Sequence, residues 1–500
     1  MGLLLILTVF PNKEETYFKL PDRLGLNLKM VEESEKISRS GWFILVTLSC
    51  LGLIAMFAET MILPAIPAFI SDFDISYNTA SWILSSYLIA GAVATPIAGK
   101  LSDMYGRKKI LLIVLAIYST GVLVGGFADS FPFMLAARAA QGIGIAMFPI
   151  AFGIIRETLP EKKLAVGQSI FSATFPIGAT LGLLVGATII ENYGWHATFF
   201  TIFPIAIILG LFILKFIKIH DSRDKVGIQS IDVKGSLFLA TTIISFLAGI
   251  SLLQNSSERA MSVILFLISM ISLVIFIKIE KNTDTPLIDL KLLANKTLLF
   301  GILILLIVGL CTFMVYQTIP IMIQSPQPFG FGGNEFATAS IQLPFMIVFL
   351  IGNISAGFML NKIGNKRLTL IGTIIGTVGF FAILSFHSTE SMITITLAII
   401  AGGLSLAFIG GFNIILVSTP IKFAGIALGM TLLLNLVGQS IGPSLSGMFQ
   451  QMYQSTIETQ ESYPTPEAYN MIFLTAFLIS LASVIFAISL NKNKKVELEI

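Results

Sequence analysis

Long apolar stretches dominate this chain, and the few chargeable groups inside them define what chemistry is available. Glu59 is the only carboxylate deep inside any such stretch, and Arg138 is the only base. An ionisable side chain at membrane depth is costly, so it faces a protein interior or a wet cavity and marks a functional site. In a low-dielectric site a carboxyl keeps its proton, whereas a neighbouring guanidinium draws that proton off. Together the two suit a proton-loading switch, with Glu59 as the carrier and Arg138 setting its affinity. The alternative is a fixed ion pair that only locks two helices. Each residue lies seven positions from the outer end of its stretch, a depth of ~10 Å at the helical rise, so the two can meet.

Uncharged polar residues in the same stretches are the next candidates. Tyr316, Gln317, Asn413, Asn435 and Gln439 could contact a substrate, although Asn and Gln commonly serve as hydrogen bonds between membrane helices. Forty Phe and eighteen Met could furnish an adaptable greasy pocket or simply face lipid. No G-x-x-x-x-G-K-[ST] loop occurs, so ATP-driven pumping has no support. His196, His220 and His387 lie in loops or at interfaces, and no paired His, Cys or carboxylate cluster stands in an apolar run. A metal site or a membrane-embedded hydrolase therefore lacks ligands, and no cofactor is implied.

The elements that position these residues follow from composition. Hydrophobic residues make up 55% of the 500 residues and charged ones 12%, about half the charge of a soluble domain. Lipid must be the solvent for most of the chain. A soluble enzyme, a nucleic-acid binder and a secreted disulfide scaffold are excluded. Cys50 and Cys311 sit in apolar runs and suggest no disulfide framework.

Fourteen runs reach the roughly 20 residues needed to cross a bilayer. They are 42–66, 80–101, 110–128, 131–155, 164–190, 197–219, 233–253, 261–279, 298–323, 336–360, 368–386, 391–417, 424–452 and 469–490. Runs of this length are helices, because lipid offers no other way to satisfy one segment's backbone. With the N-terminus placed in the cytoplasm, 29 of the 31 Lys and Arg fall in cytoplasmic segments. Arg138 and Arg259 are the exceptions. That bias is the positive-inside signature, and it places both termini in the cytoplasm of a multi-pass cell-membrane protein. The apolar leader 1–10 is too short to span and has no preceding positive segment. Residues 454–468 read as an acidic, solvated connector.

The halves repeat. Gly99, Asp103, Gly106 and Lys108 reappear 258 positions on as Gly357, Asn361, Gly364 and Lys366. The same offset maps Glu59 and Thr60 onto Gln317 and Thr318, and Gly178 and Gly182 return as Gly438 and Gly442, 260 positions on. Five segments follow: a cytoplasmic lead 1–41, a six-helix bundle 42–219, a linker with two extra helices 220–295, a second six-helix bundle 296–490 and a tail 491–500. Duplicated parallel bundles place a substrate near the midplane between them.

The stretch Gly99-Lys100-Leu101-Ser102-Asp103-Met104-Tyr105-Gly106-Arg107-Lys108-Lys109 resembles the signature loop of the major facilitator superfamily, G-x-L-a-D-r-x-G-r-k, with Met104 where a base is usual. Leu135 to Gly144, which holds Arg138, Gln141 and Gly142, is similar to the family's second motif, l-x-x-R-x-x-q-G-x-g, found in proton-coupled members. With fourteen spans, these resemble the drug:proton antiporter branch. The antiporter motif of span 5, g-x-x-x-G-P-x-x-G-G, is matched only in part. Gly178, Gly182 and Gly186 are kept, but its proline and last glycine are lost. The resemblance implies an all-α polytopic transporter exporting small amphipathic compounds by proton antiport and alternating access. In it Gly99, Asp103, Gly106, Arg107, Lys108, Gln141, Gly142, Gly178 and Gly182 would serve the conformational change. The expected partners are a small-molecule substrate, protons and the bilayer, with no nucleic acid, and the protein is expected to act as a monomer. A metabolite or lipid uniporter or symporter on the same fold remains the alternative. A channel filter would need a ring of like residues from several subunits, which a single Glu59 does not supply.

Overall fold

The computed structural model describes residues 37–217, 232–252, 259–283, 286–419, 424–456 and 462–490. The lead and the tail, apart from residues 37–41, lie outside the described residues. Among the described residues the protein is all-α apart from one short β-hairpin. Among the described residues, thirteen helices are long and apolar enough to cross a membrane. We number the spans in chain order: Arg39–Asp72, Tyr77–Tyr105, Arg107–Gly125, Phe131–Thr158, Val166–Tyr193 and His196–Phe216 are spans 1–6. Val233–Leu252 and Arg259–Asn282 are spans 7 and 8. Lys296–Gln324, Glu335–Leu360, Asn365–Ser385 and Glu390–Ser418 are spans 9–12, and Pro466–Ser489 is span 14. The remaining expected span, 13, is the 29-residue helix Ala424–Met452, which is outside that set of thirteen and carries Asn435, Gln439 and Gln450.

The helices start where a polar side chain can receive the free amides of a first turn. Ser38 Oγ accepts from Gly41 N, Ser76 Oγ from Thr79 N, Asn334 Oδ1 from Ala337 N, and Thr389 Oγ1 from Met392 N. Two spans differ from the expected single helix. Span 1 ends its first α-helical stretch at Thr60, turns through a 3₁₀ segment at Leu63–Ala65 and resumes over Ile66–Asp72. Pro64 and Pro67 explain the break, since neither has an amide to donate to the preceding turn. Span 1 thus runs six residues beyond the expected end, and Glu59 sits beside the break, thirteen residues from Asp72. Span 4 breaks in the same way at Gly144–Ala146, just after Gln141 and Gly142, and resumes at Met147 ahead of Pro149.

The repeat is visible in three dimensions. Gly106 (φ 96°) and Gly364 (φ 79°) end spans 2 and 10 in the same positive-φ turn, a backbone setting open to glycine and few other residues. Two positions on, Lys108 Nζ donates to Leu214 O at 2.8 Å, and Lys366 Nζ donates to Ile488 O at 3.0 Å and to Leu490 O. Each lysine ties its loop to the last turn of its bundle's final helix, where free carbonyls favour a cation. Gly106→Ala should cost ~1–3 kcal/mol of stability from backbone strain alone. A thermal melt of the purified protein in detergent measures that, and an unchanged midpoint would contradict the strained turn.

One sequence correspondence needs correcting. Gly178, Gly182 and Gly186 bring span 5 onto the carbonyls of Leu53, Phe57 and Met61 in span 1. In the second half, Gly438 and Gly442 bring span 13 onto the carbonyls of Leu306 and Leu310, and Ser446 Oγ donates to Met314 O. Spans 1 and 9 are therefore in register at an offset of 253, not 258, which pairs Glu59 with Thr312 rather than Gln317. The difference is a longer connection after span 9, residues 325–334, against 73–76 after span 1.

The halves meet along two seams, span 2 with span 13 and span 5 with span 10. Hydrogen bonds between the halves include Tyr77 Oη to Ser462 O (3.2 Å), Ser85 Oγ to Ser440 O (2.8 Å), Gln324 Nε2 of span 9 to Pro64 O of span 1 (2.8 Å) and Asn334 Nδ2 to Glu191 Oε1 (2.6 Å). All but the Ser85 bond lie towards the end of the bundle that carries Asp72, opposite Gly106. There the expected connector forms a short antiparallel hairpin, Gln454–Thr456 with Ser462–Pro464. Span 7 packs on both span 2 and span 13, with Asn78 Nδ2 donating to Ser251 O at 2.7 Å and Trp82 Nε1 to Ser251 Oγ at 3.0 Å.

Candidate functional site

Arg138 is fully buried in span 4. Its Nε donates to Ile83 O of span 2 at 3.2 Å, and one terminal amino group donates to Gln141 Oε1 at 2.7 Å. Gln141 Nε2 in turn donates to Gly121 O of span 3 at 3.0 Å. The guanidinium carbon lies 4.4 Å from the centre of the Tyr87 ring, a cation–π contact. Gly142, one turn after Arg138, makes this possible, because its missing side chain lets span 4 rest on the main chain of Tyr87. One Arg138 guanidinium nitrogen and the hydroxyls of Tyr87 and Tyr118 are buried with no hydrogen-bond partner.

Glu59 completes the cluster from span 1. It is part-buried and within electrostatic reach of Arg138, Tyr87 and Tyr316. Among the described residues Glu59 and Arg138 form no direct ion pair. Arg138 is held instead by backbone and by Gln141, which leaves Glu59 without a tied partner. Next to it, Thr60 Oγ1 donates to Ala179 O of span 5 at 2.8 Å.

Span 9 presents the opposite wall. Tyr316 Oη donates to Met346 Sδ of span 10 at 3.4 Å, and its ring meets Phe313 at 5.0 Å and Phe345 at 6.0 Å. Gln317 is fully buried and Gln342 of span 10 is 1% exposed, and among the described residues the amide atoms of both find no partner. Buried amides without partners are uncommon and mark places where something polar is accommodated. The other polar candidates divide. Asn435 Nδ2 donates to Leu305 O at 2.7 Å, joining span 13 to span 9, and Gln439 Nε2 donates to Asn435 Oδ1 at 2.8 Å within span 13. Asn413 of span 12 is part-buried. Tyr87, Gln342 and Met346 are site residues that sequence reasoning missed. An aromatic or Met in an apolar run carries no signal until its neighbours are known, whereas Gln342 could have been found with Gln317 as a polar residue in mid-span.

The signature loop lies away from this cluster. Arg107 bridges Asp103 at 3.1 Å and Glu157 at 3.2 Å, linking the Gly106 ends of spans 2 and 4. The Gly178–Gly182–Gly186 ladder serves the span 1–span 5 contact described above.

The arrangement therefore joins one carboxyl at a helix break, one buried cation, a tyrosine from each half and an aromatic–Met wall. The model of the Major Facilitator Superfamily matches residues 48–443. Multidrug resistance protein 3 of Bacillus subtilis is 26% identical over 401 residues, covering 78% of this chain and 76% of its own. Multidrug resistance protein Stp of Mycobacterium tuberculosis is 23% identical over 441 residues, covering 87% and 80%. Among solved structures, a D-xylose-proton symporter matches with a TM-score of 0.62 at 13% identity, over 89% of this chain and 97% of its own. The nucleoside transporter NupG matches at 0.61 and 14%, over 90% and 100%.

Proposed function

Because the chain belongs to the Major Facilitator Superfamily and so is a multi-pass membrane transporter, we propose that it exports small amphipathic, cationic compounds from the cell in exchange for protons. The observation that carries this reading is the position of Glu59. It stands at the break in span 1, facing Arg138 and Tyr87 of its own half and Tyr316 of the other. Its relatives named for multidrug resistance support drug efflux as the kind of transport.

In this reading the Gly106 end and both termini face the cytoplasm, and the hydrogen bonds at the Asp72 end hold the outer side closed. A cation enters from the cytoplasm and lies against Tyr316, Phe345 and Met346, where aromatic faces and a thioether suit it. Gln317 and Gln342 offer donors and acceptors to its polar part. Glu59 meets the cation as a carboxylate, or holds a proton when the site is empty. Two cationic occupants cannot both be neutralised by one carboxylate, so loading one releases the other. Arg138 stays fixed by Ile83 O and Gln141 as the helices move, so the distance between it and Glu59 changes. Rocking of the halves then exposes the site to either side in turn.

Proteoliposomes with an imposed pH step test this directly. With the lumen acidified, a lipophilic fluorescent cation should accumulate in vesicles containing the protein, and the accumulation should collapse when a protonophore removes the step. Accumulation that persists without a proton gradient would make the protein a uniporter and overturn the antiport reading.

A further inference from the structure

The two inserted helices bring together a second pair of carboxyl groups, far along the chain from Glu59. Asp232 caps span 7, its Oδ1 accepting from Gly235 N at 2.7 Å, and is 8% exposed. Glu280 ends span 8, its Oε2 accepting from Ile288 N at 3.0 Å, and is 4% exposed. Among the described residues, the remaining oxygen of each, Asp232 Oδ2 and Glu280 Oε1, is buried and finds no donor. The two carboxyls lie within hydrogen-bonding reach of each other. Both free oxygens converge on Gly235. A Cβ built there would lie 2.8 Å from Glu280 Oε1 and closer still to Asp232 Oδ2.

Two buried carboxylates in contact repel strongly, and such a pair titrates as a unit that keeps one proton. We propose that Asp232 and Glu280 form a single-proton site, with one hydrogen shared between Asp232 Oδ2 and Glu280 Oε1. Loaded, the pair carries one negative charge; when the proton passes to water it carries two.

The surroundings give the charge change something to act on. Lys100 of span 2, inside the signature stretch, is the base within electrostatic reach of Asp232. Lys234, Lys278 and Lys281 on the helical hairpin of spans 7 and 8 are exposed, as is Lys291 on the segment that follows. Asp289 is occupied in capping Lys291 N and Leu292 N. Span 13, packed on span 7, has no ionisable side chain within 427–452. Ile288, held by Glu280, belongs to the segment leading into span 9, and the next amide, Asp289 N, donates to Met430 Sδ of span 13. The pair thus sits where the first half, the hairpin and the second half meet. Loss of the proton adds a charge that Lys100 attracts and that pushes the bases of spans 7 and 8 apart. The site gives the hairpin a proton-sensing role independent of Glu59 and of the transport reading.

Infrared titration of the full-length protein in lipid nanodiscs tests this, in a Glu59→Gln background to silence the first carboxyl. A protonated-carboxyl C=O band should be present and should disappear as the pH is raised. Adding Glu280→Gln should remove it, as should Asp232→Asn, which serves if the first variant does not fold by circular dichroism and gel filtration. Gly235→Ala should also remove it, by forcing the two oxygens apart. A band unchanged in both carboxyl variants would overturn the proposal. So would a rise in melting temperature with Na⁺ or Ca²⁺ that Glu280→Gln abolishes, since the pair would then hold a metal cation.

Discussion

Glu59→Gln should abolish accumulation driven by a pH step, bringing it down to that of protein-free vesicles, while the protein still folds and still binds the cation weakly. Glutamine keeps the size and hydrogen-bonding ability of the protonated side chain, so the break in span 1 and the Thr60–Ala179 contact should survive. What it cannot do is exchange a proton. A neutral group beside Arg138 and Tyr87 also removes the negative charge that a cationic substrate would meet. Glu59→Asp should restore part of the rate, because it keeps the charge and shortens the reach by one methylene. Wild-type accumulation by Glu59→Gln would remove Glu59 from the coupling step and leave the fold assignment untouched.

Gly142→Ala should be nearly as damaging, through packing rather than charge. A Cβ at position 142 would lie 2.8 Å from Tyr87 C, 2.9 Å from its Cα and closer still to its carbonyl oxygen. These are backbone atoms and cannot swing aside, so span 4 must lift off span 2. Overpacking of this kind costs ~1–3 kcal/mol. Arg138, one turn away, would also lose its stack on Tyr87 and its bond to Ile83 O. Both the melting temperature and transport should fall. Gly99→Ala is the matching control. A Cβ there meets nothing within 4 Å, and Ala in a helix is favoured over Gly by ~0.5–1 kcal/mol. An unchanged melt for Gly142→Ala would show that span 4 has room to shift.

Much of the architecture is legible in the residues because lipid permits so few solutions. Long apolar runs bounded by Lys and Arg must be helices, and the stretch Gly99 to Lys109 is marked as a loop by its resemblance to the family signature. The break after Glu59 was less accessible. Pro64 and Pro67 stand in plain view, but prolines are tolerated in membrane helices, and Pro96, Pro176 and Pro204 lie within unbroken ones. The register of spans 1 and 9 is set by glycine-to-carbonyl contacts that a constant offset cannot anticipate. Tyr87 and Met346 were invisible among residues that equally well face lipid. Asp232 and Glu280 stand just outside the apolar runs 233–253 and 261–279, and nothing in the sequence signals that their ends are buried against each other.

That slip of register has an outcome for the molecule's symmetry. Superposing one bundle on the other, helix upon helix, lays Glu59 over the hydroxyl of Thr312 rather than an amide, and Thr312 already donates to Val308 O at 2.8 Å within its own helix. The two halves therefore differ at this position: an acid stands in one, and a self-satisfied alcohol in the other. A second acid introduced as Thr312→Glu would give both halves a carboxyl at the matching place in the helix.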